Sequence, residues 1–314
     1  MRTARFLAKR ASEYLAIWLV AITFDFFIPR AAPILAVHTP SGQLTRILGT
    51  QGPLYEQYLR FLWNLLHMNL GISLWLYGTP VAYLVARALQ YDVVLLVPAL
   101  LISWYLGDRL GIYLGTSKRN VAIEKIAVPL LYAVSSAPYF WWAMLFTNVL
   151  SSIGLSPPTG VTYSLIPSAS LLYIADFLRH LALPLATLIF VMTGMWTLNA
   201  RESVISELRS YYVLYEEMLG FEDSIMRRHV DKNSRGPLLT YLAISLGLVA
   251  SGSYILEAVL GYPGIGVLLY NAISNYDYVL IQGIFSVVIT LILVLNFAID
   301  VLLVALDPRM RLTS

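Results

Sequence analysis

The chain has 314 residues, of which 58% are hydrophobic and only 12% charged, with a mean hydropathy of +0.70 and a formal charge of +3. A soluble domain carries about 25% charged residues, so this composition excludes a soluble enzyme, a nucleic-acid-binding protein and a disordered chain. It indicates an integral membrane protein, and without cysteine it offers no disulfide, thiolate metal site or thiol nucleophile.

A hydrocarbon core about 30 Å thick takes roughly 20 apolar helical residues to cross. The first apolar stretch, Tyr14–Pro29, holds one acid, Asp25, lacks a small-residue cleavage site and reads as a retained anchor. Asp25 is expected near the outer end of this helix, reaching headgroups or water. Residues 30–92 form a long outer segment with turn chemistry at Thr39–Gly42 and Gly49–Pro53. Within it Leu54–Leu70, rich in Tyr, Trp and Leu, is expected to be an interfacial helix. A second span runs from Val93 through Leu114, interrupted by Asp108 and Arg109, which pairing or snorkelling explains. Along it Gly107, Gly111 and Gly115 recur every fourth residue, a spacing that lets helix backbones approach closely, and Gly247 and Ser251 repeat it. Four charge-free stretches complete a set of six spans: Ile126–Leu150, Leu181–Ala200, Pro237–Leu256 and Tyr278–Ile299. Pro138, Pro184 and Pro237 are expected to kink or start helices. Asp300, near the end of the last span, is expected to partner a base.

Orientation follows from the basic residues. With the N-terminus in the cytosol, fifteen of the 21 Lys and Arg fall on the inner side, and the outer loops 151–176 and 257–277 have none. Both termini are therefore expected to be cytosolic. Between the fourth and fifth spans, residues 201–236 hold six bases and seven acids, which marks water or a soluble partner. Tyr211–Gly220 reads as a short helix stopped by its glycine, and Phe221–Arg235 leads on to Pro237. A helix–glycine turn–helix of this kind suits docking in a partner's groove; a solvated loop is the plainer alternative. After the fifth span, Gly261–Gly266 with Pro263 makes a firm bend, either part of a gate or a passive re-entrant turn.

No phosphate-binding G-x-x-x-x-G-K-[ST] loop and no H-E-x-x-H is present, and the four histidines (38, 67, 180, 229) are scattered. Energy must then come from another subunit or from an ion gradient. No metal site is expected.

The residues between 201 and 236 also resemble a known family. Tyr212-Val213 followed by Gly220, then Arg228-His229 and Asn233…Pro237, is similar to the cytosolic loop of binding-protein-dependent ABC importer permeases, whose helix couples the membrane subunit to its ATPase. Downstream, Leu256–Gly266, Asp277-Tyr278…Gln282-Gly283 and Asn296…Asp300…Asp307-Pro308-Arg309 resemble the B-type subunit of the dipeptide/oligopeptide class. Upstream, Asn69–Ser73, Ser136–Trp141 and Leu183-Pro184…Arg201-Glu202-Ser203 fit the same class.

The resemblance implies an all-α integral membrane protein with six transmembrane helices in the ABC importer type-1 transmembrane fold. Residues 1–88 would hold the first helix and the outer segment, 89–305 the type-1 domain with five helices and the coupling loop 201–236, and 306–314 a cytosolic tail. It implies uptake of peptides or oligosaccharides by alternating access in a prokaryotic cytoplasmic membrane, beside a second related permease subunit, two cytosolic ATPase subunits and an extracellular solute-binding protein. The chain itself would bind no cofactor, ATP and Mg belonging to the ATPases, and would be no enzyme. Coupling would fall to Tyr212, Tyr215, Glu216, Glu217, Met218, Leu219, Gly220, Arg228, His229 and Pro237, and the outer turn to Tyr262, Pro263, Gly264 and Gly266. Glu216-Glu217-Met218-Leu219 replaces the family's small and basic residues, so the ATPase groove is expected to be basic, and Pro29…Pro33 replaces its usual turn. The rival readings are a proton-coupled carrier using Asp25 or Asp300 and an assembly subunit without a pathway.

Overall fold

In hydrocarbon a backbone has no hydrogen-bond partner except itself, and the chain meets this constraint with helices. A computed structural model describes residues 2–31, 52–116, 121–160, 170–234 and 253–306. Its helices are α1 (Arg2–Ala31), α2 (Leu54–Leu66), α3 (Val81–Thr116), α4 (Val121–Ser136), α5 (Tyr139–Ser152) and α6 (Leu171–Leu208). They continue with α7 (Tyr211–Met218), α8 (223–234), α9 (Tyr254–Leu260), α10 (Ile265–Ser274) and α11 (Tyr278–Leu306). Among the described residues there is no strand, only an isolated antiparallel bridge between Ile72 and Pro80.

Helices α1, α3, α6 and α11 are long and apolar enough to cross a membrane, and α9 with α10, taken as one broken span, would make a fifth. Among the described residues six are not reached, for two reasons. The expected single span Ile126–Leu150 is broken after Ser136, because Pro138 has no N–H to give Val134 and starts α5 instead. The Trp142 indole donates to that Val134 carbonyl at 3.0 Å, replacing the lost bond. Most of Pro237–Leu256, with Pro237, Gly247 and Ser251, lies outside the described residues, as do Thr39–Gly42 and Asp307–Arg309.

The chain divides into two compact units, one of residues 1–91 and 263–314 and one of residues 92–262. In the first, α1 and α11 run antiparallel. The Tyr14 hydroxyl donates to Asp300 at 3.0 Å, Trp18 to Thr290 at 2.9 Å, and Ser286 to Asp25 at 2.5 Å. Arg10 approaches Asp300 at 3.7 Å, so that acid does partner a base. Asp25 departs from its expected exposure: it is buried, because the Ser286 hydroxyl on α11 gives its carboxylate a partner that lipid cannot. Helix α2 packs on α1 through Tyr58 and Phe61 around the Phe26 ring.

Asp277 fixes the start of α11. One carboxylate oxygen caps the helix by accepting from the Leu280 amide at 3.0 Å. The other accepts from the Ser73 hydroxyl at 2.5 Å and the amides of Leu74 and Trp75 at 2.8 and 3.0 Å. The segment that it holds turns at Gly71 (φ 85°), whose missing side chain leaves room for Val279. Asp277 is fully buried, and the Ser73 hydroxyl and Leu280 amide, buried with it, depend on it.

In the second unit α6 is the common wall. Helices α4 and α5 pack along it, as does the short α9. Its buried face carries Thr187, Leu188, Met192, Trp196, Ala200 and Val204. Gly107, Gly111 and Gly115 of α3 lie against this face. A methyl group on Gly107 would overlap Trp196 Cβ, one on Gly111 would overlap Ala200 Cβ, and one on Gly115 would stand 2.8 Å from Val204 Cγ1. Across α4 and α6, Glu124 pairs with Arg201 and Tyr132 donates to Glu202 at 2.9 Å.

Two outcomes test this packing. Gly111→Ala is expected to cost about 1–3 kcal/mol of stability, seen as earlier thermal unfolding of the purified chain, with part of the loss recovered by Ala200→Gly. Asp277→Ala orphans buried donors at about 1–3 kcal/mol each and is expected to abolish a monodisperse peak in size-exclusion chromatography, whereas Asp277→Asn, which keeps one acceptor oxygen, retains it.

Candidate functional site

The charged stretch that interrupts the apolar helices becomes a helical pair, α7 and α8. Helix α6 ends at Leu208, and Ser210 starts α7 after a two-residue connection in which its hydroxyl donates to the Glu207 carbonyl at 2.6 Å. Helix α7 stops where the glycine stands. Gly220 takes φ 76°, its amide donates to the Glu217 carbonyl at 3.1 Å, and the Phe221 amide donates to Glu216 at 3.0 Å. These two bonds around a left-handed residue form a Schellman closure, which satisfies carbonyls that the helix end would otherwise leave open.

The pair has its own small core. Val213 of α7 and Val230 of α8 are buried with Val204 of α6, and Ile112 and Tyr212 pack against them. The Ser203 hydroxyl donates to the Ser234 carbonyl at 2.8 Å, tying the far end of α8 to α6. Burial pushes the Tyr212 phenol above its ordinary pKa, and the Glu207 carboxylate acts in the same direction. The stretch is therefore not a loose solvated loop: it is fastened to the membrane helices at both ends.

Among charged side chains, α7 also leaves large apolar residues outside. Tyr211 is 91% exposed and Met218 75%, and Leu214, Tyr215 and Leu219 are also exposed. Helical spacing puts Tyr211, Leu214, Tyr215 and Met218 on one side of α7, opposite the buried Val213. An uncovered apolar stripe of this kind on a charged segment is the sort of surface that contacts with a partner or a membrane use.

The two acids expected to act together are separated. Glu216 turns inward, its Oε1 2.8 Å from His229 Nδ1 on α8, with its side chain mostly buried. Glu217 is exposed and lines a cavity of about 350 Å³ with Asp223, Arg227, Met226, Glu124 and Thr116. Arg228 is exposed on α8. The expected acidic surface of the pair thus loses Glu216 to an internal contact.

The second group of expected residues is at the turn after α9. Gly261 ends that helix at φ 66°, with the Tyr262 amide donating to Glu257 at 2.9 Å. Tyr262 is fully buried, and the Leu260 carbonyl accepts from the Gly160 amide at 3.2 Å. Gly264 begins α10, accepting from the Leu268 amide at 3.1 Å; Gly264 and Gly266 are buried and Pro263 half-buried. This turn is built from packed residues and backbone bonds. Sequence reasoning gave no role to Asp277, although an acid directly before an apolar helix is a capping signal.

Comparison with known proteins agrees with this architecture. Residues 109–312 match the family model described as binding-protein-dependent transport system inner membrane component. The chain is 28% identical to the di/tripeptide transport system permease protein of Pseudomonas aeruginosa, covering 84% of this chain and 83% of that protein. It is 25% identical to the dipeptide transport system permease protein of Escherichia coli, with 95% of each chain covered.

The geometry separates the two glutamates experimentally. His229→Ala leaves the Glu216 carboxylate without its partner and is expected to loosen α7, read as faster hydrogen exchange across residues 211–220. Glu217→Gln is expected to leave that exchange unchanged, because its side chain is exposed.

Proposed function

The chain belongs to the family of binding-protein-dependent transport system inner membrane components, and from that premise we propose that it is one permease subunit of an ATP-driven importer of peptides. The observation that carries the proposal is the α7–α8 pair, cored against α3 and α6 and presenting Tyr211, Leu214, Tyr215 and Met218 outward. In this reading six spans cross the membrane with both termini in the cytosol, and the pair faces the cytosol, where the positive-inside bias puts it. A second, related permease subunit completes the pathway. Two ATPase subunits complete the complex, one of them docking on the α7–α8 pair of this chain, and a solute-binding protein delivers cargo from outside.

The work is done by differential contact. Nucleotide binding draws the ATPases together and shifts the docked helices, and the pathway opens outward; hydrolysis returns it to the inward state. This chain's share is mechanical. Tyr215, Met218 and Leu219 meet the ATPase, Gly220 holds the turn, Arg228 borders the contact, and the Glu216–His229 pair keeps the two helices in register. The turn at Tyr262, Pro263, Gly264 and Gly266 shapes the outer end of the pathway. Hydrolysis belongs to the ATPase subunits, so ATP and Mg bind there. Peptides are the favoured cargo because two similar proteins bear names that describe dipeptide and di/tripeptide transport; oligosaccharides are the alternative.

Reconstituted with its ATPases and partner permease, the wild-type chain is expected to support ATP hydrolysis that rises when peptide-loaded binding protein is added. Tyr215→Glu with Met218→Glu is expected to reduce that stimulation at least about tenfold by charging a surface that must be desolvated on docking. Uphill uptake by the isolated chain without nucleotide would overturn the proposal.

A further inference from the structure

Helix α2 wears its apolar side outward. Tyr55, Leu59, Trp63 and Leu66, at helical spacing, are 65, 60, 65 and 70% exposed. The opposite side turns Gln57, Phe61, Asn64 and Leu65 into the first unit, where they line a cavity of about 150 Å³. In water this arrangement would be inverted, so lipid is the medium that suits it.

The cavity has a mixed lining that includes two cations, one of which, Arg30, also feels the charge of the buried Asp25 carboxylate. Arg30 and Arg60 both line it, with Asn64, Asn69 and Gln282. The Arg30 guanidinium lies 3.8 Å above the Phe26 ring and donates to the Phe26 carbonyl at 2.8 Å, and its Nε meets Gln57 at 3.4 Å. This holds one cation in place beneath α2. Arg60 stands one residue from Leu59 on α2, at the border between the apolar stripe and the polar lining, with its side chain 58% exposed. Its partner Glu56, at 3.3 Å, belongs to an exposed pair on one helix face, the kind worth little and readily exchanged.

We propose that this cavity holds the phosphodiester of a membrane phospholipid between Arg30 and Arg60, with the acyl chains lying along the apolar stripe of α2. A guanidinium group donates paired N–H bonds to phosphodiester oxygens, Arg30 and Arg60 each bring one to the cavity, and the carboxamides of Asn64 and Asn69 supply further N–H donors. The stripe alone would take any hydrocarbon; the arginines select the phosphate. Bound in this way, the lipid would pin α2 against α1 and α11.

The test uses the full-length chain, delipidated in detergent, with phosphatidylglycerol added and bound lipid counted by native mass spectrometry. One tightly held phosphatidylglycerol is expected. Arg60→Gln is expected to weaken it about tenfold, the scale of one charged hydrogen bond, and Asn64→Leu to weaken it less. Arg109→Gln, which alters an arginine on α3, is expected to retain it. Arg30→Gln also removes the bond to Phe26, so its result is read only beside an unchanged unfolding temperature without lipid. Equal binding by the Arg60→Gln chain would overturn the proposal. So would equal binding of a diacylglycerol with the same acyl chains, which would show an apolar site only, or displacement by inorganic phosphate, which would show a free-anion site.

Discussion

One buried carboxylate holds two distant stretches of the first unit together. Asp277 accepts from Ser73, Leu74, Trp75 and Leu280, and so joins the 70s turn to the start of α11. Ser73 and Asp277 are buried from water, and there a polar group must either pair with the backbone or find a side chain that substitutes. The turn from Gly71 to Thr79 cannot pair fully with itself, and Asp277 makes up the difference. With the turn fixed, Val81 N–H reaches the Gly71 carbonyl at 3.0 Å and α3 begins from a defined point.

The same accounting explains the other irregular places. Pro138 deprives Val134 of a donor and an indole replaces it. Helices α2, α7, α9 and α10 all end in left-handed residues that close the last turn, at Met68, Gly220, Gly261 and Tyr276. Two of these are not glycine, and there the bonds from Asn69 to Asn64 and from Asp277 to Ala272, each 2.8 Å, offset the strain of a side chain at positive φ. Each of these breaks in helical regularity is thus matched by a specific bond.

Much of this was legible in the residues. Long apolar stretches marked α1, α3, α6 and α11, Gly220 marked the end of α7, and the glycine spacing of α3 marked a close helix contact. Legibility failed where the answer depended on what lay across a gap in sequence. Asp25 looks exposed near the end of its helix, and only the arrival of Ser286, 261 residues away, makes burial tolerable. Glu216 and Glu217 look equivalent, yet a helix turns adjacent residues about 100° apart, so one meets His229 and the other faces out. Leu54–Leu70 reads as an interfacial helix, but the sequence does not say which face meets the medium, and the helix ends at Leu66. Ile126–Leu150 has the length of a span, and Pro138 was visible, but whether a proline kinks a helix or ends it depends on its neighbours.

The glycine stripe of α3 has a mechanical corollary. Because Gly107, Gly111 and Gly115 leave no clearance against Trp196, Ala200 and Val204, the two rods are meshed like cogs. A slip of α3 by a single residue would drive Asp108 or Ile112 into places that admit only hydrogen. Sliding is therefore blocked, and whatever tips α6 carries this part of α3 with it as one plank. Rearrangement has to be accommodated at softer contacts elsewhere, where larger side chains can exchange rotamers without collision.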